Sequence, residues 1–224
     1  MNYSPGVKPF TWSYSRMKNF EACPKRHYEI DLMKSFKEDE SEQLKWGNLV
    51  HKALEDAVRK KKPLPTGMEQ WQPLIDRFAR SPGKVIPEQS LAITTEFAPT
   101  GYFDRNVWYR AKIDVTILQE PVAMVIDYKT GKILEDSVQL ALAAATIFSH
   151  YPEVMKIRSR FLWLGDDCKT DADFERKDMP AFWSSIWPRI EALQHAHQTT
   201  NYPAIPNRLC RKWCPVTSCP HHGK

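Results

Sequence analysis

No stretch of this chain is apolar for long enough to span a bilayer, which argues against a membrane-spanning role. Residues 1–12 lack the hydrophobic run of a secretory signal, so a soluble, cytoplasmic protein is expected. There is no internal repeat and no low-complexity segment, which argues against solenoids and tethers. Cysteines are few and odd in number, five in all. Without a signal peptide that count argues against a disulfide framework and for metal binding or free thiols. Positive charge is only modestly in excess, at +5, which suits a polyanionic partner but decides nothing alone. At 224 residues the chain can form one large domain or two small ones, either with a real core.

What is present reads as an α/β pattern. The opening TWSYSRMKNFEACPKRHYEIDLM has helical periodicity at Met17, Phe20 and Tyr28, capped by Ser13 or Ser15 and interrupted by Pro24. A second helix is expected from Leu44 to about Lys60, with Val50, Leu54 and Val58 on one stripe. A loop over 63–73 and a short helix over 74–80 follow. Strands are predicted at 90–98, 107–118 and 122–129, the last nearly all apolar and so central. A helix starting at Asp136 or Ser137 and closed by Pro152, a strand near 155–164 and an amphipathic helix near 179–199 complete the pattern. GDDCKTDAD reads as an acidic loop. The tail NYPAIPNRLCRKWCPVTSCPHHGK has too little apolar content to order itself.

Two of the predicted strands carry acids: AKIDVTIL holds Asp114, and VAMVIDYK holds Asp127 with Lys129 two places on. Side chains alternate along a strand, so Asp127 and Lys129 share a face, and Asp114 can approach from a neighbour. Two carboxylates and an ammonium are the equipment for a divalent cation beside a phosphodiester. The alternative is a set of surface charges at strand ends. His51 lies on the stripe of Leu54 and Val58 and faces inward, as a satisfied core residue or as a nitrogen ligand. As a ligand it would tilt preference from Mg²⁺ toward Mn²⁺. Glu55, one turn on, and Glu88, before the first strand, are further acidic candidates. Gln139 either completes a D-x-x-Q capping box with Asp136 or offers its amide to a phosphate or the attacking water.

Cys210-x3-Cys214-x4-Cys219 gathers three soft ligands in one loop, and Cys23 is a natural fourth. Four thiolates suit a [4Fe–4S] cluster or Zn²⁺, and His222 competes for the fourth place in the zinc reading. Cys168 is expected to be unliganded.

Together these segments resemble the RecB-like branch of the PD-(D/E)XK nuclease family in its iron–sulfur form. The matching stretches are SYSRMKNFEACPKRHY, GNLVHKALE, AKIDVTI, VIDYKTGK, QLALAAA and CRKWCPVTSCPHH, in family order. The likeness extends to phage and bacterial exonucleases and to nucleases of CRISPR adaptation. It implies one nuclease domain over 1–224, with a restriction-endonuclease-like mixed sheet flanked by helices (44–199) and a stapled region (1–43 and 200–224). His51, Asp114, Asp127 and the Tyr128 carbonyl would bind Mg²⁺ or Mn²⁺, and Asp114, Asp127 and Lys129 would be catalytic. Gln139, Tyr14 and Arg16 would contact DNA. Cys23, Cys210, Cys214 and Cys219 would hold the [4Fe–4S] cluster, with zinc as the alternative. The expected activity is hydrolysis at DNA ends, single strands preferred. The chain is too short for helicase motifs, so unwinding would fall to a helicase, recombination or adaptation-complex partner; a homo-oligomer is a further expectation. Two departures stand out: Ala143 replaces the Tyr usual four residues after Gln139, and the cysteine spacing is not the usual C-x2-C-x5-C. A nuclease-inactive or partner-dependent DNA-binding subunit, and a zinc-stapled protein without a nucleic-acid role, are the competing readings.

Overall fold

Apolar stripes and alternating strands pair off as a six-stranded mixed sheet in the computed structural model, which describes residues 10–133 and 136–224. The described residues divide into two units, one running through Glu40 and resuming at Ala181–Lys224, the other Ser41–Pro180. The first nine residues of the expected 1–43 segment lie outside the described part. No helix among the described residues is long and apolar enough to cross a membrane.

The Ser41–Pro180 unit holds the sheet. Its strands are β1 (Lys84–Ile93), β2 (Pro99–Thr100), β3 (Tyr109–Gln119), β4 (Val122–Lys129), β5 (Lys156–Trp163) and β6 (Cys168–Glu175), in the order β2-β1-β3-β4-β5-β6. All neighbours are antiparallel except β4 and β5. That parallel pair needs a crossover, supplied by a helix, Ser137–His150. Taking α1 (Tyr14–Ala22), α2 (Pro24–His27), α3 (Glu42–Lys60) and α4 (Gln72–Ala79) first, the crossover is α5, and α6 spans Met179–Thr199.

Helices cover both faces of the sheet. Val50, Leu54 and Ala57 of α3 and Ile75 and Phe78 of α4 pack on Val115, Ile126 and Tyr128. On the opposite face Leu140 of α5 packs on Phe161 and Trp163. β4 is therefore central and covered, as its run of apolar residues implies.

Two strands differ from the sequence expectation. β1 begins at Lys84 and ends at Ile93, whereas 94–98 form a turn closed by Thr94 N–H on the Ala98 carbonyl. Pro87 reads as a breaker, but β2 pairs only with Ala92 and Ile93, so β1 is an edge strand at Pro87 and loses no ladder bond there. GDDCKTDAD is not simply a loop, since Cys168 opens β6. This edge strand is polar and charged, as edges commonly are, and Lys156–Asp173 (2.9 Å) and Arg160–Asp171 (2.5 Å) pair it to β5. Its support comes from β5 and the core beneath, where Ala172 and Phe174 pack against the Leu140–Phe161–Trp163 cluster, with these ion pairs to residues 11 and 17 positions away adding a little.

In the first unit, Ser13 caps α1 by accepting the Arg16 N–H (3.3 Å). Cys23 ends α1 in extended backbone, and Pro24 opens α2 at its first turn, where a missing N–H is harmless. The helix then widens to a π-turn over Tyr28–Leu32. Trp12, Met17, Ile190 and Leu193 are buried, and Arg189 holds Glu21 through two bonds (2.6 and 2.9 Å).

Candidate active site

β3 and β4 part company before either ends. Their pairing stops at Val115 and Ile126, although β3 runs back to Tyr109 and β4 on to Lys129. Past that point the Tyr128 N–H has lost its ladder partner on β3, and Asp114 Oδ2 accepts it at 2.7 Å. The other carboxylate oxygen, Oδ1, lies 3.1 Å from His51 Nδ1. The split thus lets a side chain from the α3 face meet groups on the α5 face.

Glu88 joins them. In the β1–β3 register it stands opposite Asp114, between the pairs Pro87–Val115 and Gln89–Ile113. Ligand atoms of His51, Glu88 and Asp114 all lie within 4.8 Å of one another. Glu88 has φ 48°, a left-handed conformation costing a non-glycine residue about 1–3 kcal/mol. Arg59 of α3 braces it by donating to the Pro87 carbonyl at 2.7 Å. The strand expected at 90–98 leaves Glu88 outside it; only the pairing of β1 with β3 sets it against Asp114.

Asp127 faces the other way in the cleft. Its Oδ2 lies 2.6 Å from Lys129 Nζ, and its Oδ1 accepts Gln139 Nε2 at 2.7 Å. Gln139 Oε1 in turn accepts Lys129 Nζ at 2.9 Å, so one amide ties acid to amine. The ammonium also lies 4.9 Å from the Phe161 ring centroid. The capping-box alternative for Gln139 does not form: Asp136 caps α5 through the Val138 N–H (3.1 Å), and both ends of the Gln139 amide turn to β4. Tyr128 lies between Asp127 and Lys129 with its hydroxyl buried and without a hydrogen bond. Burial, with the fields of Asp114 and Glu88, holds that phenol far above its ordinary range.

The electrostatics follow from crowding. Burial first, then the nearby Asp114 charge, push the Asp127 carboxyl up to about 6 against the opposing pull of Lys129. Burial opposes charge on His51, but its hydrogen bond to Asp114 and the fields of Asp114, Asp127 and Glu88 outweigh it and raise the imidazole. Burial and the Asp114 and Glu55 charges raise Glu88. An acid raised in the folded state holds its proton longer than in the unfolded chain. Metal-free protein should therefore lose stability as pH rises from about 4 to about 6, and Asp127→Asn should flatten that slope. Urea unfolding in EDTA at pH 5 and pH 8 measures it; equal slopes in both proteins would refute the assignment.

This donor set fits a divalent cation. Hard carboxylate oxygens and one imidazole nitrogen converge, and among the described residues buried Asp127 Oδ2 has no partner but the Lys129 ammonium at 2.6 Å. His51, Glu88 and Asp114 could hold the ion. Gly47, one turn before His51, lets α3 come close: a Cβ there would meet Thr130 Oγ1 at 3.0 Å. Gly47→Ala gains helix propensity, by about 0.5–1 kcal/mol, but crowds Thr130 at the end of β4, next to Lys129. The expected result is an unfolding midpoint near that of the wild type and about tenfold slower cleavage, because small displacements at a reacting centre are costly. Wild-type turnover would remove Gly47 from the site.

Cys23, Cys210, Cys214 and Cys219 line one small pocket in the first unit. Backbone N–H groups reach two of the sulfurs, Ile205 to Cys23 (3.5 Å) and Asn207 to Cys210 (3.4 Å). His221, rather than the expected His222, lines that pocket. No three of these sulfurs form a group within 4.8 Å among the described residues. Cys168 is exposed on β6, in the other unit. Tyr14 and Arg16 lie in the first turn of α1, with Arg16 Nη1 donating to the Thr11 carbonyl at 3.2 Å.

A mixed sheet split beside its central strand, with acids, an imidazole and an amine in the cleft, is the build of a metal-dependent phosphodiester hydrolase. The chain belongs to the PD-(D/E)XK nuclease superfamily, whose family model matches residues 11–220 and so takes in both units. Nucleic acid, DNA foremost, is its substrate class. A comparison with curated proteins gives no match. Among solved structures, a candidate exonuclease from Eubacterium rectale is similar at 12% identity and a TM-score of 0.54, covering 94% of this chain and 91% of that one. At that identity the likeness shows the fold alone. SSO0001, 13% identical over 96% of this chain and 88% of its own, has a TM-score of 0.44, too low to carry an argument.

Proposed function

We propose that this protein is a Mg²⁺- or Mn²⁺-dependent exodeoxyribonuclease that hydrolyses DNA from its ends, single strands preferred, in the cytoplasm of a bacterial or phage-infected cell. The observation that carries the reading is the meeting of His51, Glu88 and Asp114 with the Asp127–Gln139–Lys129 relay at one strand split. A divalent ion bound there would neutralise phosphate charge and make water a better nucleophile. His51, Glu88 and Asp114 would hold it, and the sequence resemblance would add Asp127 and the Tyr128 carbonyl to its ligands. Lys129 presents its ammonium to the phosphoryl oxygens as they gather charge. Gln139 fixes the distance between that ammonium and Asp127, so neither must reorganise during reaction.

The preference for ends rests on the sequence resemblance and accords with the description of the Eubacterium rectale protein. End-labelled linear and covalently circular single strands, incubated with Mn²⁺, test it. Linear strands should shorten and circles should persist; cutting of circles would refute the exonuclease reading. Gln139 meets Asp127 and Lys129 without a Tyr at position 143, which weighs against the inactive-subunit alternative. Unwinding of duplex would fall to a partner, and oligomerisation is a further possibility of this family.

The cysteine pocket is proposed to hold a [4Fe–4S] cluster that staples the first unit within a single nuclease domain. Four thiols lining one pocket suit a cluster or, as the alternative, zinc. The N–H donors to Cys23 and Cys210 suit cluster sulfurs, whose potential such bonds tune. Protein purified anaerobically should be brown and should bleach with loss of structure on chelation. Colourless protein holding stoichiometric zinc would overturn the cluster.

A further inference from the structure

A cavity of about 460 Å³ in the first unit, within the size range of small-ligand sites, is bordered by α1, the Tyr28–Leu32 π-turn and the end of α6. One wall of it is a π-turn, an irregularity that recurs where ligands bind. The Met33 N–H closes the widened turn on the Tyr28 carbonyl at 2.9 Å, a geometry frequent at functional sites. Lys34 (φ 58°) and Thr200 (φ 54°), both on the cavity wall, are the left-handed residues that end the π-turn and α6, closed by Ser35 N–H on the Glu29 carbonyl (2.9 Å) and Asn201 N–H on the Ala196 carbonyl (3.2 Å).

The side chains are of two kinds. Tyr28 and Tyr202 stack at 4.6 Å between centroids, 28° from parallel, and give the cavity an aromatic wall. Arg16 and Lys34 bring positive charge. Arg16 commits one donor to the Thr11 carbonyl, and Lys34 has no ion pair or hydrogen bond among the described residues. Asp31, the acid on the wall, is engaged by His27 (2.8 Å) and Asn19 (3.0 Å) and also feels the Arg16 charge, which leaves Lys34 as the cation without a partner among the described residues. Nothing in the catalytic relay uses this cavity.

An aromatic face beside two cations, one of them without an ion pair, is the chemistry that recognises a base bearing a phosphate. We propose that this cavity is a nucleotide-binding site, the base against the Tyr28–Tyr202 wall and the phosphate between Arg16 and Lys34. The nuclease reading supplies the reason that nucleotides are at hand. Two sources share this chemistry, a nucleotide within a bound single strand and a mononucleotide set free by cleavage.

The test is equilibrium binding in EDTA, which requires no turnover. Labelled oligothymidylate is titrated by fluorescence anisotropy, and dTMP is added as competitor. Tyr202→Leu should weaken oligothymidylate binding about tenfold, the scale of one lost base stack. Lys34→Gly removes the charge at a position whose backbone favours glycine, so it folds, and should weaken binding several-fold. Displacement of the strand by dTMP would identify the free mononucleotide as a ligand; binding of the strand alone would assign the site to the substrate. Equal affinity in wild type and both variants, or no binding of either probe to wild type, overturns the proposal. Hydrolysis of bis(p-nitrophenyl) phosphate with Mn²⁺ reports the catalytic centre separately. Its failure with binding intact would sink the nuclease reading and leave the cavity assignment standing.

Discussion

Lys129→Met should lower DNA cleavage about a thousandfold while leaving substrate affinity nearly unchanged. The ammonium is held in place by Asp127 (2.6 Å) and Gln139 (2.9 Å) and backed by the Phe161 ring. A charge fixed in this way contributes chiefly where the transition state gathers negative charge, and losing one such donor costs about 10²–10³ in rate. Methionine keeps the length of the stem against Phe161 and so isolates the charge. The substitution has a second consequence. Asp127 loses its nearest cation while burial and Asp114 still oppose its ionisation, so its pKa should climb further above 6. Metal-free Lys129→Met should be destabilised more at pH 8 than at pH 5, where Asp127 takes up a proton. Single-turnover kinetics with saturating Mn²⁺ and urea unfolding at the two pH values measure both effects. Residual cleavage equal to wild type would remove Lys129 from the chemistry.

Asp114 separates structure from metal chemistry more sharply. It serves three groups at once: the Tyr128 N–H, the His51 imidazole and, with Glu88, the proposed ion. Asp114→Ala strands the Tyr128 N–H in a part-buried cleft, which should cost about 1–3 kcal/mol of stability. Asp114→Asn keeps an oxygen for that N–H and should fold nearly as well as wild type. Both should be inactive, by about a thousandfold or more, since an amide is a poor ligand for a hard cation. The decisive readout is thermal unfolding with and without Mn²⁺. At a hundred times the dissociation constant wild type gains about 2.7 kcal/mol, and Asp114→Asn should lose most of that gain. An undiminished Mn²⁺ shift in Asp114→Asn would place the ion elsewhere.

How far the sequence could be read depends on which contacts each element needs. α3, β3, β4 and α5 lie close to where periodicity puts them, because one buried stripe or one alternating face is a local property. Asp127 and Lys129 share a face for the same reason. β6 escaped detection because its support comes from β5 and the core beneath it, and β1 was misplaced because its extent is set by pairing with β3, a segment distant in the chain. Gln139 fits two local roles equally well in sequence; only the approach of α5 to β4 sends its amide to Asp127 and Lys129.

The sequence by itself determined the α/β class, the strand-borne acids with their lysine and the four cysteines in two distant segments. Those features rest on periodicity and residue type, which act within a few positions of the chain. The tertiary structure alone decided that β3 and β4 separate after Val115 and Ile126, and that separation gives Asp114 access to both Tyr128 and His51. It also decided that Glu88 stands in the cation cluster, since cross-strand register depends on pairing between segments far apart in sequence.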